Sequence, residues 1–339
     1  MRFTATASAK DGVHAAKVVV QGSSELAEAR VYLDGHLDRT LPATGKSASF
    51  DFTFPDLGGG RSVSVVASDQ SGQLSLPSSI KLPGTPAKRG SLRAIAIGVD
   101  TYSDASINKL NFAKSDANKL GQAIQDSATS AFSSVSVSTL LDSEVTPNRV
   151  LAAVREAAAQ TGPDDTLIFS FAGHAIGGAA VGRPDVGLML ATSVSRLNDL
   201  PSTSVKWSDL TDVVATARGK IIFILDACHA GLAGSEKFGT NDDVVSSLFT
   251  RGGGSLVVLA ASKGRQLSLE NPAFGGGLFT SAIVEVLTKN RALYDTDHSG
   301  LIDLSELYRG VKQIVMQKSQ NEQTPWLARS GIVGDLSLF

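Results

Sequence analysis

The chemistry of this chain gathers at two residues, Cys228 and His174. A cysteine thiolate is intrinsically very nucleophilic, and imidazole is the side chain whose charge changes nearest neutral pH. Cys228 is the sole cysteine in 339 residues, so no intramolecular disulfide can form. Such a thiol is either a small buried hydrophobe or a reagent. Its neighbours favour the reagent. Cys228 closes the run Ile221-Ile222-Phe223-Ile224-Leu225-Asp226-Ala227-Cys228-His229-Ala230-Gly231, and His174 closes Leu167-Ile168-Phe169-Ser170-Phe171-Ala172-Gly173-His174-Ala175. Each is an apolar strand pattern that runs into small residues. Open parallel sheets take ligands outside the carboxyl ends of their strands, so the two residues can face one another across a shared rim. There Cys228 would attack a carbonyl carbon, and His174 would take its proton and return it to the leaving amine. His229 is a rival base, but a residue adjacent to the nucleophile rarely points to the same side.

These two strands need a sheet to hold them. From about residue 92 onward the pattern alternates between strands and helices. Strands are expected at 92–99, 134–141, 166–172, 186–192, 220–225 and 255–261. Helices are expected at 113–125, 147–160, 207–218, 280–289 and 304–317, with Thr146 as an N-cap. Near-continuous apolar strands between helices mean an α/β fold, a mostly parallel sheet covered on both faces.

Residues 1–84 read differently. Short alternating or β-branched runs at 3–7, 16–21, 28–33, 48–54 and 62–67 are separated by turns such as Asp34-Gly35 and Ser71-Gly72. Residues 24–29 alone are ambiguous between strand and helix. The pattern is that of a small all-β sandwich with no catalytic cluster of its own. Residues 85–91, within Leu82-Pro83-Gly84-Thr85-Pro86-Ala87-Lys88-Arg89-Gly90, form a linker by composition. Residues 92–339 form the second domain.

The second domain resembles the caspase and metacaspase family. The marks are the His174 segment after one core strand and Asp226-Ala227-Cys228-His229-Ala230-Gly231 after the next, with the histidine roughly fifty residues upstream of the cysteine. Asp226 makes the likeness closer to metacaspases and bacterial caspase-like proteins than to animal caspases. The resemblance implies the caspase-like fold and a cysteine endopeptidase with a Cys228–His174 dyad, needing no cofactor for its chemistry. It implies oxyanion donors at the backbone N–H groups of Cys228 and Ala175. The family has glycine where this chain has Ala175; alanine keeps the N–H and restricts only unusual torsions. Asp116 matches the family's acidic position at the start of the first helix, and Asp226 can line the same pocket. Two carboxylates there predict cleavage after arginine or lysine rather than aspartate. The linker after Gly231 is often cut in such enzymes, which makes Lys237 and Arg251 candidate self-cleavage sites. The N-terminal sandwich resembles immunoglobulin-like modules found beside bacterial enzymes and could carry a protein partner. The metacaspase likeness points to a monomer.

A second constellation lies near the C-terminus. Asp295, Asp297, Ser299, Asp303 and Glu306 fall at positions 1, 3, 5, 9 and 12 of an EF-hand loop spanning 295–306, with Gly300 at the sharp turn and Leu301 offering its carbonyl. Four carboxylates so close repel unless a cation is present, so Ca2+ is a candidate ligand. The alternative is a degenerate loop that merely turns the chain.

Composition bounds the rest. Hydrophobic residues make up 42% and charged residues 19%, and the net charge is −2, which argues against nucleic acid or an anionic membrane as bulk partner. No stretch has the length and apolarity of a membrane span, and the first residues lack a signal-peptide pattern, so the expected location is cytoplasmic. Two competing readings share the fold. One is a catalytically silent caspase-like scaffold. The other is a separase-like or gingipain-like subunit of a larger protease assembly. Retention of both Cys228 and His174 speaks against the first.

Overall fold

A computed structural model describes residues 1–10, 13–55, 60–84, 87–228, 255–262, 270–271 and 274–339. The chain forms two compact units. One comprises Met1–Lys88 with Asp295–Glu306 and Gly331–Phe339; the other comprises Arg89–Tyr294 with Leu307–Ser330.

The first unit is all-β at its N-terminus. Its strands are β1 (Arg2–Lys10), β2 (Val13–Gln21), β3 (Leu26–Leu33), β4 (His36–Pro42), β5 (Ser47–Pro55), β6 (Ser62–Asp69) and β7 (Ser78–Lys81). They pair as two antiparallel sheets, β1-β2-β5 and β4-β3-β6-β7. Both sheets contribute to one buried cluster, in which Val18, Val20, Phe52 and Phe54 meet Leu26, Val31, Val63 and Val65. Burying such side chains is worth about 1.5–3 kcal/mol each and holds the sandwich together without a disulfide. Residues 24–29 open a strand rather than a helix. A bulge between Leu26 and Glu28 breaks the period of two at that point, which explains the ambiguous pattern. Asp34 and Gly35, at φ 46° and 85°, make the β3–β4 turn, a geometry that favours Asp-Gly. The sequence reading ends this unit near residue 84, whereas two later segments also belong to it. The N–H of Val333 donates to the Gly35 carbonyl at 3.1 Å, and the Ser337 hydroxyl to the Gly60 carbonyl at 3.1 Å. Ile302 N–H donates to Phe339 at 2.6 Å, tying the two returning segments to each other.

The second unit contains β8 (Arg89–Gly98), α1 (Ala113–Ala128), β9 (Phe132–Leu141), α2 (Pro147–Ala159), β10 (Thr166–Gly177), β11 (Leu188–Ala191), α3 (Leu200–Thr203), β12 (Ser204–Lys206), α4 (Trp207–Val214), β13 (Lys220–Cys228), β14 (Ser255–Ala260), β15 (Glu270–Asn271), β16 (Gly276–Gly277), α5 (Leu278–Val284), α6 (Arg291–Tyr294), α7 (Leu304–Lys318, from Leu307 in this unit) and β17 (Trp326–Ser330). Five strands run parallel in the order β9-β8-β10-β13-β14. β17 adds antiparallel to β14, and β11 and β12 extend the far end of β10. One face buries Ile95, Ile97, Phe169, Phe171, Phe223 and Leu225 with Val150 and Val154 of α2 and Trp207 and Leu210 of α4. The Trp207 and Phe223 rings lie 4.7 Å apart. Thr146 caps α2 as expected, its hydroxyl accepting the Arg149 N–H at 3.4 Å. On the other face α1 packs on β8 and β9 through Ala117, Leu120 and Ile124. Among the described residues no helix is long and apolar enough to cross a membrane.

Candidate active site

The parallel register of β10 and β13 pairs Thr166 with Lys220 and continues rung by rung to Ala172–Asp226, Gly173–Ala227 and His174–Cys228. The two residues singled out by their chemistry therefore sit opposite one another on adjacent strands, whose backbones lie about 4.8 Å apart. β10 is longer than its apolar run suggests. It passes through His174, and Ala175, Ile176 and Gly177 pair antiparallel with Leu190, Met189 and Leu188. His174 is thus a strand residue rather than a turn residue, which fixes its backbone more firmly than a loop would.

The loop between β8 and α1 locks the His174 side chain. The ring Nε2 lies 2.8 Å from the backbone carbonyl oxygen of Asn108. A carbonyl only accepts, so Nε2 carries the proton and Nδ1 keeps its lone pair. Nδ1 is buried and has no hydrogen-bond partner among the described residues. Burial holds the imidazole below its usual pKa of 6.5, with the Asn108 carbonyl opposing that shift, so the ring is neutral at neutral pH. The backbone N–H of His174 donates to the Tyr102 hydroxyl at 3.1 Å, which in turn donates to the Val99 carbonyl at 3.1 Å. The Tyr102 ring lies over the imidazole, with centroids 5.1 Å apart and planes tilted by 32°. Neither Tyr102 nor Asn108 was apparent from the sequence. The loop that carries them is anchored by Asp142, whose Oδ1 accepts the N–H groups of Asp100 at 2.8 Å and Thr101 at 3.1 Å. Lys114 pairs with Asp142 at 2.8 Å.

Asp116 and Asp226, the two carboxylates assigned to one pocket from the sequence, both meet the start of α5. Asp116 Oδ2 accepts the Gly277 N–H at 2.8 Å, and Asp226 Oδ2 accepts the Thr280 N–H at 3.2 Å and its hydroxyl at 2.6 Å. Carboxylates at a helix N-terminus are favoured by its exposed N–H groups and dipole. The approach is close enough to demand glycine. A Cβ on Gly276, whose φ is +150°, would stand 2.1 Å from Asp116 Oδ1, and one on Gly277 would stand 2.8 Å from Asp226 Oδ2. The cavity beside the pair, lined by Ala117, Ser170, Ala172, Ile224 and Thr280 among others, has room for about one water molecule. The candidate cleavage sites Lys237 and Arg251, and the rival base His229, lie outside the described residues.

The family profile described as caspase domain matches residues 91–337. The chain belongs to the caspase-domain family. Members of that family are cysteine peptidases, though some are inactive. A solved structure of the protein GSU0716 from Geobacter sulfurreducens shares 18% identity with a TM-score of 0.50, covering 72% of this chain and 95% of that one. Pro-sf-caspase-1 shares 16% identity with a TM-score of 0.43, covering 74% and 90%. The Geobacter likeness is one of fold. No curated protein matches.

The EF-hand-like loop belongs to the first unit of this caspase-family protein. Oxygens of Asp295, Asp297 and Glu306 lie within 4.8 Å of one another, and the Ser299 hydroxyl is 3.2 Å from the Leu301 carbonyl. The donor set is all oxygen and suits a hard cation. Asp295 accepts the N–H groups of Ser299 at 2.9 Å and Gly300 at 2.8 Å. Glu306 reaches back to the Asp303 N–H at 3.1 Å, half of a capping box for α7. The sequence reading missed Lys81 at the end of β7. Its ammonium lies 2.7 Å from Asp297 Oδ2, 2.9 Å from Asp303 Oδ2 and 2.9 Å from the Ser299 hydroxyl. Lys81 and the loop are over two hundred positions apart, so no local motif could reveal the pairing.

Proposed function

We propose that this chain is a cysteine endopeptidase that cuts polypeptides after arginine or lysine. The observation that carries the proposal is the register of His174 with Cys228, combined with an imidazole whose Nε2 is committed to the Asn108 carbonyl. Nδ1 is then the base. As the Cys228 sulfur bonds to the scissile carbonyl carbon, its proton passes to Nδ1. The carbonyl oxygen becomes an oxyanion facing the N–H groups of Cys228 and Ala175; one such donor is worth roughly 3 kcal/mol. Collapse breaks the C–N bond, and the amine leaves with the proton from Nδ1. Water then attacks the thioester, giving a proton to Nδ1, and the expelled sulfur takes that proton back. No cofactor takes part.

Support for basic specificity comes from the convergence of Asp116 and Asp226. Both carboxylates accept donors at the start of α5, which holds them side by side. The space beside them admits about one water, so the pocket must widen to take a guanidinium or ammonium. That same tightness favours a second reading, in which the pair only anchors α5 and the residue before the scissile bond is chosen elsewhere. A fluorogenic panel ending in Arg, Lys or Asp tests both. Wild type should cleave after Arg and Lys, Cys228→Ala should be inactive, and Asp226→Asn should lose at least about tenfold on the basic substrates. Cleavage after Asp would overturn the specificity. Full activity of Cys228→Ala would overturn the dyad.

Self-processing at Lys237 or Arg251 belongs to the same reading. Intact mass should differ between purified wild type and Cys228→Ala, and identical masses would exclude it. A monomer with a partner-binding N-terminal sandwich completes the proposal.

A further inference from the structure

We propose that the loop 295–306 is a divalent-cation site held shut by Lys81, and that an ion of calcium's size enters by expelling the lysine ammonium. This inference does not rest on the peptidase reading. Lys81 touches side chains at loop positions 3, 5 and 9, through Asp297, Ser299 and Asp303. These are half of the six ligand positions a calcium ion would need. Its side chain is 20% exposed, so the ammonium is seated in the loop rather than resting on its rim. The lysine comes from a strand of the sandwich, so it is a cation at the site independent of the loop's own pattern.

The charges do not balance with lysine alone. The loop carries four carboxylates, those of Asp295, Asp297, Asp303 and Glu306, and the single ammonium pairs with two of them, Asp297 and Asp303. Asp303 is 4% exposed, and while its Oδ2 meets Lys81, its Oδ1 has no hydrogen-bond partner among the described residues. A buried carboxylate oxygen without a donor is costly, and a divalent ion would satisfy what a single ammonium leaves over. Much of the frame is set. Backbone N–H groups of Ser299 and Gly300 hold the Asp295 carboxylate, and Gly300 at φ +77° makes the sharp turn. Glu306, whose carboxylate already lies within 4.8 Å of those of Asp295 and Asp297, would exchange its bonds from the Thr296 and Asp303 N–H groups for the ion.

Competition makes a sharp prediction. Ion and ammonium cannot share Asp297, Ser299 and Asp303, so removing the ammonium must raise the affinity for the ion. Calorimetry with CaCl2 on the full chain, stripped of cations beforehand, compares wild type with Lys81→Met. The variant should bind one Ca2+ at least about tenfold more tightly, because it no longer has to displace a charge-assisted competitor. Lys81→Met with Asp295→Asn should lose that binding. Equal or weaker affinity in Lys81→Met, or no heat at all, overturns the proposal. A second readout uses the wild-type chain alone. Acylation of Lys81 by an amine-reactive ester, read by peptide mass spectrometry, should rise when Ca2+ is added. Unchanged labelling at Ca2+ concentrations that saturate calorimetric binding overturns the expulsion step.

Discussion

Tyr102→Phe isolates one oxygen atom at the candidate active site. The hydroxyl bridges the His174 N–H and the Val99 carbonyl, each at 3.1 Å, and both tyrosine and histidine are buried. Phenylalanine keeps the ring beside the imidazole but leaves that donor and that acceptor without the bridge. An unsatisfied buried group costs about 1–3 kcal/mol, so the pair should cost about 2–4 kcal/mol after some relaxation. For a unit of this size each kcal/mol lowers Tm by about 2–4 °C, giving a fall of roughly 5–15 °C by scanning calorimetry. If the chain has the proposed activity, part of the same loss appears in turnover. A His174 backbone that is no longer pinned lets the ring leave Asn108, and kcat should fall about tenfold, about 1.4 kcal/mol, with KM little changed. A Tm within a degree of wild type would refute the bridging role. A lowered Tm with unchanged kcat would show that the bridge serves stability alone.

Three further outcomes follow from the geometry. Burial holds His174 below its usual 6.5, with the Asn108 carbonyl opposing; the unfolded chain therefore binds this proton more readily, so stability is full above 6.5 and declines as pH falls below it. Urea unfolding between pH 7.5 and 5 should show that decline in wild type and less of it in His174→Asn, and the acid limb of activity should lie below 6.5. Burial alone would raise the Asp165 carboxyl, but the N–H groups of Gly162 and Ser91 and the Arg93 guanidinium together lower it from 3.8. Asp165→Ala should cost about 2–3 kcal/mol in urea at pH 7, an advantage that wild type keeps above 3.8 and loses as pH falls through the folded value. Gly276→Ala, which forces a Cβ against Asp116 at a left-handed φ, should destabilise by about 2–4 kcal/mol and displace the start of α5; near wild-type Tm would refute the close approach.

The parallel core was legible because its strands are buried on both faces and therefore read as continuous apolar runs. Ile221–Leu225 and Leu167–Phe171 are such runs, and they fall inside β13 and β10. Their lengths were not legible. The end of β10 carries Gly173, His174 and Ala175, residues with weak strand preference, and the antiparallel pairing with β11 extends the strand there regardless. β17 was missed for the complementary reason, since all five of its residues are only half-buried and show no strong alternation. β4 lies on the edge of its sheet, and its mostly exposed residues give no apolar signal.

The site divides along a similar line. Cys228, His174, Asp116 and Asp226 announce themselves by residue type, because a thiol, an imidazole and two carboxylates are the groups whose chemistry a reader can weigh. Asn108 acts through its backbone carbonyl, which every residue has, so no inspection of side chains could single it out. Yet that carbonyl decides which nitrogen of His174 keeps its lone pair. Lys81 was equally hidden, an ordinary charged residue at the end of a short strand until the fold carries it to Asp297 and Asp303. In both places the sequence supplies the reactive groups, and long-range folding supplies the partner that sets their state. The two partners act in opposite senses. Asn108 leaves the lone pair of His174 Nδ1 available for chemistry, whereas Lys81 covers carboxylate oxygens that would otherwise be available to a metal ion. The His174 ring therefore calls for tests that change protonation, and the acidic loop for tests that remove its paired lysine.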